Sequence, residues 1–494
     1  MAEPEPLAPE VLHRRCDPLL LEFETTAEAA GLADSFGQAR AHEAIRFGIE
    51  VKHPGYNLYV LGDPGSGRHT AVRMLLERKV ADEPAPDDWC YVNNFADPNK
   101  PRALPLPPGR GARLCHDMQK FVGDLANAIA AAFESDEYRS RIEAIQEQYK
   151  KREEDALREL GQTSSEKGVA LLRTPHGFVF APMKGEEAMD PETFSKLPDE
   201  DRERIGKLME EFGERLHKLM HEFPRWRREM QRRIHEASRD VMRLAAGHLI
   251  EELKEHYADL PNALSFLDEV MHDVVEVGEE LREREGPKSE GDLASILISG
   301  RISLDRYRVN LMVDHRDCEK APIVFEDNPT YPNLVGRIDQ MAHLGILVTN
   351  LTLIRAGALH RANGGYLVLD ALKVLTQPFA WEGLKRALKS RQIKIESPAQ
   401  LLGLGGAVPL EPEPVPLSVK LILVGERMIY YLLKQLDPEF DELFKVGADF
   451  DNDMVRSEEN TRLYGQLVAT LVRRNQLRPF DREAVARIIE HSAR

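Results

Sequence analysis

Ten residues near the start of the chain, LGDPGSGRHT (Leu61 to Thr70), have the types and spacing of a phosphate-binding loop. Small residues let successive backbone N–H groups converge on an anion at a helix N-terminus, where the helix dipole also favours negative charge. Gly62, Gly65 and Gly67, with Asp63, Pro64 and Ser66 between them, meet that requirement. The full pattern GxxxxGK[ST] adds a lysine for the β- and γ-phosphates and a hydroxyl for Mg2+. Arg68 and His69 stand in those two places, with Thr70 one position late. Arginine keeps the charge on a longer, flat fork, and histidine is a poor ligand for a hard, oxygen-seeking ion. The other half of such a site is an acid at the end of a second buried strand, and GGYLVLDAL supplies Asp370 as the candidate Mg2+ ligand. The next position, where a glutamate polarises the attacking water in an ATPase, is Ala371. By analogy with losing one preorganised catalytic group, that change alone slows hydrolysis by roughly 10²- to 10³-fold. Glu426, at the end of LILVGER, replaces the asparagine that commonly orients the water. The stretch therefore reads as a cradle for ATP or ADP with Mg2+, both bound weakly or lost, and with slow turnover. The competing reading is a glycine-rich turn that only joins a strand to a helix.

Two other signals carry less. His217 and His221, in HKLMH, share a helix face at a spacing that can bind zinc. Without the glutamate of HExxH or a third ligand they read as a solvated pair. The basic cluster PRWRREMQRRIHEASR (Pro224 to Arg239) is surrounded by glutamates and reads as the solvated face of a coiled coil, not as a nucleic-acid site.

The elements that must position the loop are legible. YNLYVLG (Tyr56 to Gly62) is a buried strand, TAVRMLLERKV a helix after it, and GQARAHEAIRFGI (Gly37 to Ile49) a helix before it. WCYVNNF (Trp89 to Phe95) reads as a second strand. From 113 to 285 the chain is dense in Glu, Arg, Lys, Leu and Met, and Ile205, Leu208, Phe212, Leu216, Leu219, Phe223, Trp226, Met230, Ile234, Ala237, Val241 and Leu244 recur at steps of three and four. That stripe predicts a long antiparallel helical hairpin, projecting about 60 Å if roughly forty residues of each arm are helical. Pro224 should bend it. GVALLRTPHGFVFAPMKG, near 168–185, interrupts the helices as a β-hairpin turning at Pro175, His176 and Gly177. Strand patterns return at Arg306 to Asp314, APIVFED, GGYLVLDAL and VKLILVGE, and the last segment is helical. The expected organisation is an N-terminal segment and first half of an α/β core (1–112), a helical insertion (113–285), the second half of the core (300–455) and a partial helical lid (456–494).

Composition narrows the class. A net charge of −17, with 30% charged and 42% hydrophobic residues, describes an acidic soluble protein and argues against general affinity for nucleic acid. No run of about 18 apolar residues offers a membrane span, and the N-terminus has no signal-peptide pattern, so a cytoplasmic address is expected. Four cysteines, without a CxxC pair, read as reduced and mostly buried thiols.

The run NLVGRIDQMAHLGILVTNLTLIRAGALHRANGGYLVLDA (Asn333 to Ala371), with DPEFDELFKVGADFD and GQARAHEAIRFGI, resembles the AAA+ module of Lon-like proteases of the B type. The closer likeness is to the bacterial subgroup with a long helical insertion and eroded ATP motifs. The resemblance implies a P-loop NTPase-like parallel sheet with helices on both faces. It also implies a homo-hexameric ring that threads protein substrates into a chamber built by a serine-lysine peptidase, supplied in cis or in trans. Carried over by position, Gly62, Gly65, Gly67, Arg68 and Thr70 surround the phosphates, Asp370 is the strand-end acid, and Gly37 and Gln38 lie by the adenine. Met341, His343 and Leu344 fall where such rings place pore loops that grip substrate, with an ordinary core role as the competing reading. The peptidase's serine and lysine have no counterpart here, since GPKSEG has both residue types in the wrong context. The lid lacks its usual arginine, and Arg427 and Lys445 are the candidates for an arginine finger. A working ATPase motor and a non-enzymatic scaffold that captures a partner with its helical hairpin are the two alternatives.

Overall fold

Buried runs of leucine, isoleucine and valine that end in glycine or aspartate set the architecture. The computed structural model describes residues 14–31, 37–174, 177–184, 187–195, 197–285, 304–343, 346–397 and 410–493. In chain order the main elements are α1 (Ala39–Glu50), β1 (Leu58–Leu61), α2 (Arg68–Lys79), β2 (Asp88–Val92), β3 (Arg102–Leu106) and α3 (Arg110–Glu134). They continue with α4 (Asp136–Glu166), β4 (Val169–Thr174), β5 (Gly177–Lys184), α5 (Asp199–His256), α6 (Pro261–Glu285), β6 (Asn310–Val313) and β7 (Ile323–Glu326). The rest are β8 (Met341–His343), β9 (Ile346–Val348), β10 (Tyr366–Asp370), α7 (Ala371–Thr376), β11 (Lys420–Gly425), α8 (Arg427–Leu436), β12 (Val446–Asp449), α9 (Glu458–Arg474) and α10 (Arg482–Ser492). Contacts divide the chain into two units, Met1–Cys115 with Val309–Arg494, and His116–Arg308.

In the first unit five strands form one parallel sheet in the order β12-β1-β11-β10-β7. Strands buried on both faces read as continuous apolar runs. Their alternate residues feed two cores. Leu58, Val60, Val368, Ile422 and Val424 pack with Ile45 and Ile49 of α1 and with Val72, Leu75 and Leu76 of α2. Tyr59, Leu61, Leu367, Leu369, Leu421 and Leu423 pack on the other side with Ala371, Val374 and Leu433. The register pairs Leu61 with Gly425 and with Asp449, and Asp370 with Val424, so four strand ends reach one edge of the sheet. That edge holds the glycine loop.

The run at Trp89 to Phe95 and the run at Arg306 to Asp314 form strands, but neither joins this sheet. β2 pairs antiparallel with β3 and β6 in a separate three-stranded sheet. Residues 14–31 pack against α9 and α10, with Leu21 and Phe23 buried among Val468, Val472, Val485 and Ile489. The Cys16 N–H donates to Glu490 Oε1 at 2.7 Å, and Thr25 forms a β-bridge with Asp481. None of the four thiols is in a disulfide. Cys16 and Cys90 are buried, Cys115 is half-buried and Cys318 is exposed, so the expectation of mostly buried thiols holds for two of the four.

The run AGALH turns on two residues. A Cβ on Gly357 would overlap the Leu334 carbonyl and the Gly336 amide, so no larger residue fits. Its N–H donates to His360 Nδ1 at 3.3 Å, and burial pushes the His360 pKa down to about 3. The imidazole is neutral in the folded chain. An unfolded chain takes up that proton near the ordinary value of 6.5, so this contribution to stability is fully present above pH 6.5 and is lost toward pH 3. The expected slope is about 1.4 kcal/mol per pH unit. Urea titrations between pH 6.5 and 5 should show it in the parent and not in His360→Gln, which gains no proton. Equal slopes in the two would refute the assignment.

In the second unit α5 runs unbroken for 58 residues with Pro224 inside it, a length of about 87 Å at 1.5 Å per residue. Its first part lies antiparallel to α4, with Arg152 3.4 Å from Glu229 and Tyr138 Oη 2.9 Å from Ser238 Oγ. Its last part lies antiparallel to α6, where Lys254 is 2.8 Å from Asp268. The change of partner shifts the buried stripe. Phe212, Leu216 and Phe223 are buried as their spacing predicts, but from residue 237 the buried set becomes Ala237, Ser238, Met242, Ala246, Ile250 and Leu253. Leu244, expected in the stripe, is 82% exposed. β4 and β5 form the expected hairpin, pairing Thr174 with Gly177; Pro175 and His176 of its turn lie outside the described residues. Trp226 is covered by the Arg152 guanidinium at 4.5 Å, and Arg225, Arg227 and Arg232 pair with glutamates, as a solvated face does. No helix among the described residues is long and apolar enough to cross a membrane.

Candidate nucleotide site

β1 delivers the chain into the loop, and glycine supplies the backbone angles the turn needs. Gly65 and Gly67 have φ of 86° and 84°, a region that side chains disfavour, and Gly67 is the residue before α2. A Cβ on either would meet nothing within 4 Å, so the outer surface of the turn is open. Its inner side is filled. A Cβ on Gly62 would lie 3.1 Å from Ser66 Oγ and 3.3 Å from Arg68 Cδ.

Arg68, at the position of the phosphate-binding lysine, folds back into the sheet edge. It is 9% exposed, and its Nη1 donates to the Gly425 carbonyl at the end of β11. Beneath it Tyr59 Oη donates to the Glu426 carbonyl at 3.2 Å, with burial pushing the phenol pKa up. Ala371 is buried beside Gly425 and Tyr59. A hydrogen bond made by a charged group is worth about 1.5–3 kcal/mol, so releasing Arg68 to a phosphate would lower affinity by one to two orders of magnitude.

His69 starts the helix beside Arg68. Burial and then the Arg68 charge lower its pKa, which keeps the imidazole neutral, while Asp370 and Asp327 oppose the shift. Thr70, Asp63 and Pro64 are exposed. Asp370, as predicted, ends its strand near the loop, but its Oδ1 accepts from the Lys373 N–H at 2.9 Å and caps α7. No group of three or more His, Cys, Asp or Glu able to hold a metal occurs among the described residues. The backbone thus suits a phosphate, whereas the side chains do not suit Mg2+: the hydroxyl position holds a neutral imidazole and the strand-end acid Asp370 is engaged as a cap.

The residues assigned to the adenine are engaged by the segment that follows β12. Gln38 Nε2 donates to the Asp451 carbonyl at 2.9 Å and its Oε1 accepts from the Asp451 N–H at 2.9 Å. Gly37 lies under Met454, whose sulfur would overlap any Cβ there.

Sequence reasoning missed the tether between loop and sheet. Asn452 Nδ2 donates to Asp63 Oδ2 at 2.6 Å. Arg427 donates to Asn452 Oδ1 and to Asp449 Oδ1, both at 2.9 Å, and to the Phe450 carbonyl. The run DFDND was the available signal. Arg427 is therefore bound within its own chain, which argues against an arginine-finger role. Lys445 sits over the Tyr56 ring at 5.2 Å, at the strand-start end of the sheet and away from the loop.

The segment assigned to substrate gripping is the antiparallel hairpin β8–β9, which pairs Met341 with Val348. Met341 is 51% exposed, and Leu344 lies outside the described residues. Asp339 bridges Arg355 at 3.0 Å and Arg337 at 2.9 Å at the hairpin's base, and these two arginines hold its carboxyl below the usual range.

Comparison with known proteins bears on this geometry. A family model described as a LonB-like AAA domain matches residues 319–451, and one described as the Lon-like LonC helical domain matches residues 88–121. The chain carries a Lon-like AAA module. The matched AAA region holds β7 to β12 and Asp370, while the glycine loop lies outside it. A putative Lon protease homolog of Escherichia coli K12 is 27% identical over 141 residues, 28% of this chain and 23% of that protein. Archaeal Lon proteases of Thermoplasma volcanium and Thermoplasma acidophilum are each 25% identical over 189 residues, 37% of this chain and 28% of theirs. The match thus spans about a quarter of the length of these relatives. An AAA domain implies nucleotide binding as a class property.

Proposed function

We propose that this AAA module engages polypeptide substrates for a Lon-like protease, as a homo-hexamer in the cytoplasm, with the peptidase in cis or in trans. Its nucleotide site binds ATP or ADP weakly and turns it over slowly or not at all. The observation that carries the reading is Arg68, which spends its charge on the Gly425 carbonyl where a lysine would reach phosphate. Ala371 and the capping role of Asp370 agree with it. The exposed Met341 hairpin, braced by Asp339, supports substrate contact.

The test uses the full chain, a reduced and carboxymethylated polypeptide as probe, and Mg2+–ATP. Capture of the probe is expected without nucleotide and to weaken in Met341→Glu, with phosphate release at background. Steady Mg2+-dependent phosphate release that disappears in Asp370→Ala would overturn the slow-turnover half. Failure to capture the probe would overturn the substrate half.

A further inference from the structure

The two imidazoles of HKLMH, which the nucleotide site does not use, come together on α5. His217 and His221 are both exposed, their Nε2 atoms are 3.0 Å apart, and their rings meet edge to face at 89°. Two nitrogens each about 2.05 Å from one ion lie about 2.9 Å apart when coordinated at a right angle and about 3.3 Å apart at the tetrahedral angle. The observed separation lies between the two, so the pair is spaced for a divalent transition metal ion. No third metal-ligating side chain joins them among the described residues, so water would complete the coordination. Glu214, one turn earlier on the same face, adds negative charge.

Their place in the helix gives the pair a consequence. Pro224 lies three residues beyond His221 and inside α5. Proline has no N–H, so the carbonyl four residues back, that of Met220, loses its donor within the helix. Met220 sits between the two histidines. We propose that His217 and His221 form a two-imidazole site for a divalent transition metal ion, which staples the helical turn that leads into Pro224.

The experiment takes the full chain without an affinity tag, stripped with a chelator, and titrates it calorimetrically with Ni2+, Cu2+, Zn2+ and Mg2+. Amide hydrogen exchange is followed across residues 217–228. One ion per chain should be lost in His217→Ala and in His221→Ala, with Zn2+ weaker than Cu2+ and Mg2+ silent. Both positions are exposed, so an unchanged far-ultraviolet dichroism spectrum verifies that the variants fold. Where opening requires release of the ion, exchange slows by 1 + [metal]/Kd, about a hundredfold at a hundred times Kd. Unchanged stoichiometry in either histidine variant, or binding with no slower exchange, overturns the proposal.

Discussion

The double variant Arg68→Lys, His69→Thr is expected to bind ATP at least about tenfold more tightly than the parent, since the charged hydrogen bond it need not break is worth about 1.5–3 kcal/mol. The lysine is a compact ammonium on a shorter stem, and the threonine returns a hydroxyl to the first turn of α2. The backbone of the loop need not change, because Gly65 and Gly67 already hold their left-handed angles. Arg68→Met separates two explanations. It removes the guanidinium without supplying a new cation, so a gain in affinity there reports the release of an occupied site, and a gain only with lysine reports the missing charge. A fluorescent nucleotide titration reads all three chains. Parent and double variant with equal affinity would show that Arg68 is no obstacle. Hydrolysis is not expected to return with binding, because Ala371 is buried against Gly425 and Tyr59, where a glutamate would have to bring a carboxylate out of water.

Asp88→Ala should cost about 3–5 kcal/mol of stability. Asp88 begins β2 and is fully buried. Its Oδ2 accepts from the Gly111 N–H at 2.9 Å in the first turn of α3, and its Oδ1 accepts from the His315 N–H at 2.7 Å, just after β6. One carboxylate thus joins segments separated by the whole insertion, and alanine would strand two buried donors. Asp88→Asn keeps the shape but offers only one acceptor oxygen, so it should lose less. Chemical denaturation in a Trp226→Phe background, where Trp89 and Trp381 both lie in the first unit, measures the difference. A loss under about 1 kcal/mol would mean that the two amides find other partners.

The strands of the parallel sheet, the helices around the loop and the long helices were legible because their apolar periods are strong and local. Strand membership was not. The run at Trp89 to Phe95 has the same composition as a core strand, and only its pairing with β3 and β6 shows that it belongs elsewhere. Leu244 fits the three-and-four spacing perfectly well and is exposed, because α5 exchanges α4 for α6 as its neighbour and the buried face rotates with the partner. At the site, residue types told which groups were missing. They could not tell that Arg68 would spend its charge inward, that Gln38 would clasp the Asp451 backbone, or that Asn452 would hold Asp63, since each depends on a partner hundreds of residues away.

The bond from Cys16 to Glu490 spans 474 residues. A nascent chain emerging at about 5–20 residues per second would therefore carry its opening segment, with Leu21 and Phe23 uncovered, for roughly half a minute to a minute and a half before α10 leaves the ribosome. During that interval the exposed apolar residues are a target for chaperones, and a bulky fusion placed directly before Cys16 would compete with the last helix for its seat.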